Sequence, residues 1–259
     1  MKLSGNTILI TGGNGGIGLA LTKAFTKAEN TVIICGRNEA SLQFAKSGND
    51  NIITKQCDLT QQAERDELVQ WILQNYPSFN VIINNAGIFE ETDLLSDSFD
   101  LDKINKQLVI DLQVPIELCL RFLPHLRKQP HAAIVNITSG LVYAPEAGAP
   151  FYGVAKAGVH AFTQTARYQL RDTKLKVFEV LPPLVDTGGV SKQLDIEKLG
   201  GAMDADETAD EILKGLSHDT EEIRIGDIKW LYAASRIAPE FTNKKVNEKA
   251  EKARQSDNH

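Results

Sequence analysis

The sequence predicts an α/β fold: a doubly wound, seven-stranded parallel sheet with helices on both faces. Three observations predict it. Short, β-branched apolar runs alternate with longer stretches whose apolar residues recur at helical spacing, the pattern of successive βαβ units. The strand runs are apolar almost throughout rather than every second residue, as in a sheet covered on both sides. No repeat, Pro- or Ser-rich linker or shift in composition interrupts the 259 residues. Residues 1–243 therefore read as one domain, with 244–259 as a polar C-terminal tail expected to fray.

The elements follow in order. TILIT, Thr7 to Thr11, is the first strand. Gly16 to Ala28 sets Ile17, Leu21, Ala24, Phe25 and Ala28 on one helical face. TVIIC, Thr31 to Cys35, is the second strand, Glu39 to Ser47 a short helix, and NIITKQC, Asn51 to Cys57, the third strand. Gln61 to Tyr76 groups Leu68, Trp71, Ile72 and Leu73 near one face and stops before Pro77. NVIIN, Asn80 to Asn84, is the fourth strand. The longest helical stretch, Asp100 to Leu123, contains Pro115, which has no N–H to donate and is expected to bend it. AAIVNIT, Ala132 to Thr138, is the fifth strand, Tyr152 to Leu170 an amphipathic helix, and LKVFEVL, Leu175 to Leu181, the sixth strand. A helix over Asp206 to Leu216, a short seventh strand over Glu222 to Gly226 and a last helix over Ile228 to Ala238 complete the domain.

Composition excludes several classes of function. A net charge of −6 argues against a general nucleic-acid or anionic-membrane surface. No run approaches the ~18 apolar residues of a membrane span. The opening Met1 to Asn6 is polar, so a cytoplasmic chain is expected. Cys35, Cys57 and Cys119 are widely spaced and read as small buried hydrophobes. The histidines His125, His131, His160, His218 and His259 show no metal-ligand spacing.

Chemistry enters at TGGNGGIG, Thr11 to Gly18, between the first strand and the first helix. Glycine backbone can turn tightly and approach a diphosphate closely, and the helix N-terminus offers free N–H groups and partial positive charge. The spacing T-G-x-x-x-G-x-G, on Thr11, Gly12, Gly16 and Gly18, resembles the short-chain dehydrogenase/reductase family. The likeness extends along the chain. Asp58-Leu59 resembles the family's adenine-binding pair, Asn84-Asn85-Ala86-Gly87 its NNAG motif, and Ser139 with Tyr152-x-x-x-Lys156 its catalytic residues, the serine 13 positions before the tyrosine. Pro182 stands where the family turns beside the nicotinamide. The resemblance implies a Rossmann-like domain whose cofactor contacts are Gly12, Asn14, Gly16, Ile17, Gly18, Arg37, Asp58, Leu59, Asn85, Ala86, Gly87, Tyr152, Lys156, Pro182 and Val185.

Tyr152 and Lys156 are four apart and share a helical face. A free phenol, with a pKa of about 10, is a poor base near neutrality. A neighbouring ammonium favours the phenolate, so Tyr152 is expected to exchange a proton with an alcohol or ketone oxygen. Ser139 would hydrogen-bond the same oxygen. The family's fourth catalytic residue is an asparagine in the long helix before the fifth strand. Asp111 in LVIDLQVPIEL occupies that place here, with Asn105 as a rival. An ionised aspartate accepts but cannot donate hydrogen bonds. Its charge would hold Lys156 protonated and partly oppose the lowering of the Tyr152 pKa.

Cofactor choice is read at Cys35-Gly36-Arg37-Asn38. Gly36 stands where NAD-selective members carry an aspartate, and Arg37 where NADP-binding members often carry a base. A guanidinium forks onto phosphate and stacks on adenine, so NADP(H) is favoured over NAD(H). Gly15 lacks the second basic residue that some NADP-selective members carry.

Leu141, Val142, Tyr143 and Pro145 are expected to form one substrate wall, with Ser139, Leu141, Tyr143 and Tyr152 touching the substrate. A lid is expected at about 186–205, with Gly188-Gly189 and Gly200-Gly201 as hinges and Val190, Leu194, Leu199 and Met203 as its apolar face. TSGLVYAP and PPLVDT resemble bacterial short-chain oxidoreductases associated with D-alanylation gene clusters, a likeness that names no substrate. The family implies a homodimer or homotetramer built on the long helix and the Tyr152 helix. The expected activity is hydride transfer between NADP(H) and a small carbonyl or secondary alcohol. The alternatives are a nucleotide-binding regulator with little catalysis and a cofactor-retaining isomerase or epimerase.

Overall fold

The computed structural model describes residues 1–187 and 201–254. Seven strands, β1 (Thr7–Thr11), β2 (Thr31–Gly36), β3 (Ile52–Gln56), β4 (Phe79–Asn84), β5 (Ala132–Ile137), β6 (Leu175–Leu181) and β7 (Glu222–Arg224), form one sheet in the order β3-β2-β1-β4-β5-β6-β7. Every neighbouring pair is parallel. The strand order reverses between β1 and β4, and doubly wound sheets bind their ligands at such a switch point.

Successive strand residues feed two different cores. On one face Ile8, Ile10, Val32 and Ile34 pack with Leu21 and Phe25 of α1 (Gly16–Lys27) and Ile212 and Leu216 of α7 (Ala205–Ser217). On the other, Leu9, Ile33 and Ile82 pack with Leu68 and Ile72 of α3 (Gln62–Asn75) and Leu118 and Phe122 of α5 (Val114–Leu126). Because side chains alternate along a strand and both faces are covered, every position must be apolar. That is the cause of the unbroken runs in the sequence. Each such side chain, fully buried, contributes roughly 1.5–3 kcal/mol. Two further helices, α2 (Glu39–Lys46) and α6 (Pro150–Leu170), connect β2 to β3 and β5 to β6.

Two expectations need correction. The stretch expected as one helix bent at Pro115 is α4 (Leu101–Leu108), a π turn (Val109–Gln113) and α5. The backbone stays helical throughout, and the π turn falls ahead of the proline. Pro115 cannot donate to the carbonyl four residues back, that of Asp111, and the ladder widens before it, with the Val114 N–H bonded to Val109 O. Of the tail expected to fray from residue 244, the described part, to 254, is instead part of a helix. After α8 (Ile228–Ile237), α9 (Pro239–Arg254) crosses the expected boundary at 243. Its polar composition hides a narrow stripe, Thr242, Val246 and Ala250, at i, i+4 and i+8, of which Thr242 and Ala250 are buried. Asn247 fastens it, donating to Pro145 O and accepting from the Ala147 N–H. Lys244 and Lys245 pair with Glu248 on its outer side.

Candidate active site

A cavity of about 1050 Å³ opens above the carboxyl ends of the strands. The β1–α1 turn supplies Gly12, Asn14, Gly16 and Ile17, and the end of β2 supplies Gly36 and Arg37. Asp58 and Leu59 follow β3, Asn85 to Gly87 follow β4, Ser139 follows β5, and Pro182 and Val185 follow β6. Tyr152 and Lys156 reach the same cavity from α6. Of the residues expected to hold a cofactor, only Gly18 stands outside this lining. It lies inside α1, where a Cβ would come within 2.3 Å of the Gly12 carbonyl oxygen and 2.5 Å of Asn85 Nδ2. Gly18 lets the helix rest on the loop. Gly12 has φ +65°, a left-handed conformation that glycine adopts without strain.

The turn is tied to the end of β4. Thr11 Oγ1 accepts from the backbone N–H groups of Asn85 and Ala86, at 2.9 and 3.0 Å. Asn85 Nδ2 returns a bond to Thr11 O at 3.0 Å. Gly15 precedes α1 without a side-chain cap, leaving the first N–H groups of the helix for an anion.

Lys156 Nζ lies 5.5 Å from the Tyr152 ring centre, donates to Ile137 O at 3.3 Å and pairs with Asp111 Oδ1 at 3.4 Å. Asp111 is fully buried and accepts from the Ile88 N–H at 3.1 Å. It stands behind the cavity lining and touches it through Lys156, whereas Asn105 is exposed on α4. The π turn is what carries Asp111 inward. Ser139 caps a short 3-10 turn (Gly140–Val142), accepting from the Leu141 N–H at 3.2 Å. Phe89 stands edge-on to the Tyr152 ring.

Lys156 lowers the phenol, as expected, but burial outweighs it. Burial raises the Tyr152 pKa above its ordinary value. Lys156 and a hydrogen bond with Ser139 pull it down, and Asp111 adds to the rise. Burial also raises Asp111, against the pull of Lys156 and the Ile88 N–H. Burial alone would lower Lys156, but Asp111 and Tyr152 outweigh it and the ammonium is held above its usual range. Without further positive charge nearby, Tyr152 is a protonated acid beside a firmly protonated lysine.

Tyr143, expected to touch the substrate, has other partners. It stands outside the cavity lining, as do Val142 and Pro145, while Leu141 is within it. Its hydroxyl accepts from Arg224 Nε at 3.0 Å, and its ring meets His160 and Tyr232 edge-on. A guanidinium partner below the turn draws the phenol away from the cavity, where burial pushes its pKa up to about 12. Where a lid is expected, a bridge joins Val185 to Met203; the Asp186 N–H donates to Met203 O and the Met203 N–H to Leu184 O. Gly188, Gly189, Val190, Leu194, Leu199 and Gly200 lie outside the described residues.

Sequence reasoning missed one wall. Ile228 and Leu231 of α8, with Val246, Lys249 and Ala250 of α9, line the cavity. The signal was present in two short spacings, i, i+3 and i, i+4. The three cysteines are free and buried. Burial pushes all three thiols up, Cys57 and Cys119 to about 12. Among the described residues no group of His, Cys, Asp or Glu is arranged to hold a metal ion, and no helix is long and apolar enough to cross a membrane.

Comparison with known proteins adds to this geometry. A family model described as short chain dehydrogenase matches residues 6–197. The chain is 44% identical over 237 residues to the uncharacterized oxidoreductase DltE of Bacillus subtilis (strain 168), a match covering 91% of this chain and 94% of that protein. A short chain dehydrogenase from Burkholderia cenocepacia J2315, solved with NADP, superposes with a TM-score of 0.82 at 19% identity, over 95% of this chain and 99% of that one. A 3-ketoacyl-(acyl-carrier-protein) reductase from Brucella melitensis, solved with NADH, gives 0.77 at 20% identity, over 86% of this chain and 98% of that one. At these identities the two structures speak for the fold.

Proposed function

The chain belongs to the short chain dehydrogenases, a family of oxidoreductases, and we propose that it transfers hydride between NADP(H) and a small carbonyl compound or secondary alcohol. One observation carries the reading: a single cavity holds both the glycine turn and Ser139, Tyr152 and Lys156. The residues fit a dinucleotide. The close approach of Gly18 to Gly12 lets α1 start directly against the turn, and its uncapped start presents N–H donors to a diphosphate. When bound, the nicotinamide supplies or accepts the hydride.

The chain's own groups handle the proton. Ser139 hydrogen-bonds the substrate oxygen and polarises the carbonyl. Tyr152 donates its proton to that oxygen in reduction and takes it back in oxidation. Lys156 stabilises the phenolate that forms, and Asp111 keeps Lys156 protonated. Asp111→Asn removes a negative charge that raises both groups. The pH midpoint of Tyr152 should move acidward in the variant, so alcohol oxidation sets in at lower pH. A pH–rate profile unchanged from wild type would remove Asp111 from the mechanism.

NADP(H) is preferred because β2 ends on Gly36 rather than on a carboxylate and the exposed Arg37 borders the cavity. One charge-assisted hydrogen bond is worth about 1.5–3 kcal/mol, so Arg37→Ala should weaken NADPH binding about 10- to 100-fold. NADH, which lacks the 2′-phosphate, should change little. Equal losses for both in a fluorescence titration would refute the assignment. The proposal includes a cytoplasmic homodimer or homotetramer, supported by exposed Leu101, Leu120, Val154 and Tyr168 on α4, α5 and α6.

The activity is tested by incubating the protein with NADPH and a panel of aldehydes and ketones, and with NADP⁺ and secondary alcohols. Consumption of the cofactor with matching product supports the reading. Binding without turnover points to a regulator, and product without net cofactor consumption to an isomerase.

A further inference from the structure

Beneath the catalytic pair lies a polar group that the chemistry above does not use. Glu179 is fully buried and is the one charged side chain among the buried residues of β6. Its carboxylate accepts from Thr138 Oγ1 at 2.6 Å and meets His160 Nδ1 at 2.9 Å from each oxygen. Thr138 immediately precedes Ser139, and its N–H donates to Val180 O at 2.9 Å. His160 is on α6, one turn beyond Lys156 and two beyond Tyr152. His160 Nε2 faces Gln164 at 3.1 Å, the Tyr143 ring covers the imidazole edge-on, and Gln164 lies 3.5 Å from Glu222.

A carboxylate buried in a sheet is unfavourable unless donors satisfy it. Here the two donors come from the two elements that carry the active groups. Ser139 is fixed at the end of β5, and Tyr152 and Lys156 are fixed on α6. We propose that Thr138, Glu179 and His160 are positioning residues, a buried relay that sets the Ser139 hydroxyl against the Tyr152 phenol. The inference rests on the oxidoreductase reading for its kinetic consequence, though not for its geometry. It also accounts for Tyr143, whose ring shields the imidazole instead of facing the cavity.

The test uses the full chain. A misplacement of about 1 Å costs roughly 10²-fold in rate, so Thr138→Val, which cuts the relay beside Ser139, should lose about tenfold or more in kcat for carbonyl reduction. KM for NADPH should stay as in wild type, and Thr138→Ser, which keeps the hydroxyl, should restore kcat. Glu179→Ala should behave as Thr138→Val, and Glu179→Gln, which keeps an acceptor, should recover most of the loss. If Glu179→Ala does not fold, the Thr138 pair decides. A second readout needs no turnover: spectrophotometric titration of the Tyr152 phenol, identified as the signal missing from Tyr152→Phe. The charged groups facing that phenol are Lys156 and Asp111, and the hydrogen bond with Ser139 lowers it. A displaced Ser139 should therefore make Tyr152 titrate at higher pH in Thr138→Val. Unchanged kcat together with an unchanged phenol overturns the relay, as does a loss that Thr138→Ser fails to restore. If wild type reduces no carbonyl but the phenol still shifts, the activity reading falls and the relay stands.

Discussion

Tyr152→Phe should lower kcat for carbonyl reduction by about 10²–10⁴-fold, the usual contribution of a positioned general acid. NADPH affinity should stay near that of wild type, because the cradle and Arg37 are untouched. The substitution removes only the hydroxyl, and the ring keeps its contact with Phe89. The size of the effect follows from the surroundings. Burial and Asp111 hold the phenol protonated, and Lys156 stands ready to stabilise the phenolate once the proton leaves. Tyr143 is bonded to Arg224 outside the cavity lining. Steady-state kinetics with a binding titration separate the two quantities. A kcat within tenfold of wild type would assign the proton to another group.

Gly18→Ala should disable the dinucleotide site although Gly18 lies outside the cavity lining. The new Cβ would lie 2.3 Å from the Gly12 oxygen and 2.9 Å from its carbonyl carbon, backbone atoms that cannot turn aside. Helix α1 must therefore lift from the loop. Overpacking of this kind costs about 1–3 kcal/mol, and NADPH affinity should fall about tenfold or more with the melting temperature. Gly15→Ala, three residues earlier, is the control. Nothing in the protein lies within 4 Å of its Cβ, so stability should remain close to wild type. Equal stability of the two variants would show that the cradle does not depend on this close approach.

The parts of the molecule legible in the sequence are those where one local rule had no competitor. Strands such as TILIT and TVIIC are apolar because both faces are covered, and their parallel pairing follows from the βαβ order. The glycine turn and the Tyr152–Lys156 pair are legible because each sits within one turn of backbone. What was hidden depends on long-range partners. Asp111 faces inward because a π turn forms ahead of Pro115, and helical periodicity alone does not display the extra residue. Tyr143 leaves the cavity for Arg224, 81 positions later. Helix α9 reads as a polar tail because its buried stripe is one residue wide, and only its contacts with Pro145 and Ala147 reveal the face it covers. Glu179 reads as an exception in an apolar strand until Thr138 and His160 are seen around it.

The most direct test of the central claim is a crystal structure of the protein with NADP⁺. The account predicts the diphosphate on the N–H groups at the start of α1, the 2′-phosphate at Arg37, and the nicotinamide ring beside the Tyr152 hydroxyl, with room for a small molecule touching both. A dinucleotide bound elsewhere, or a nicotinamide out of reach of the Tyr152 oxygen, would contradict it.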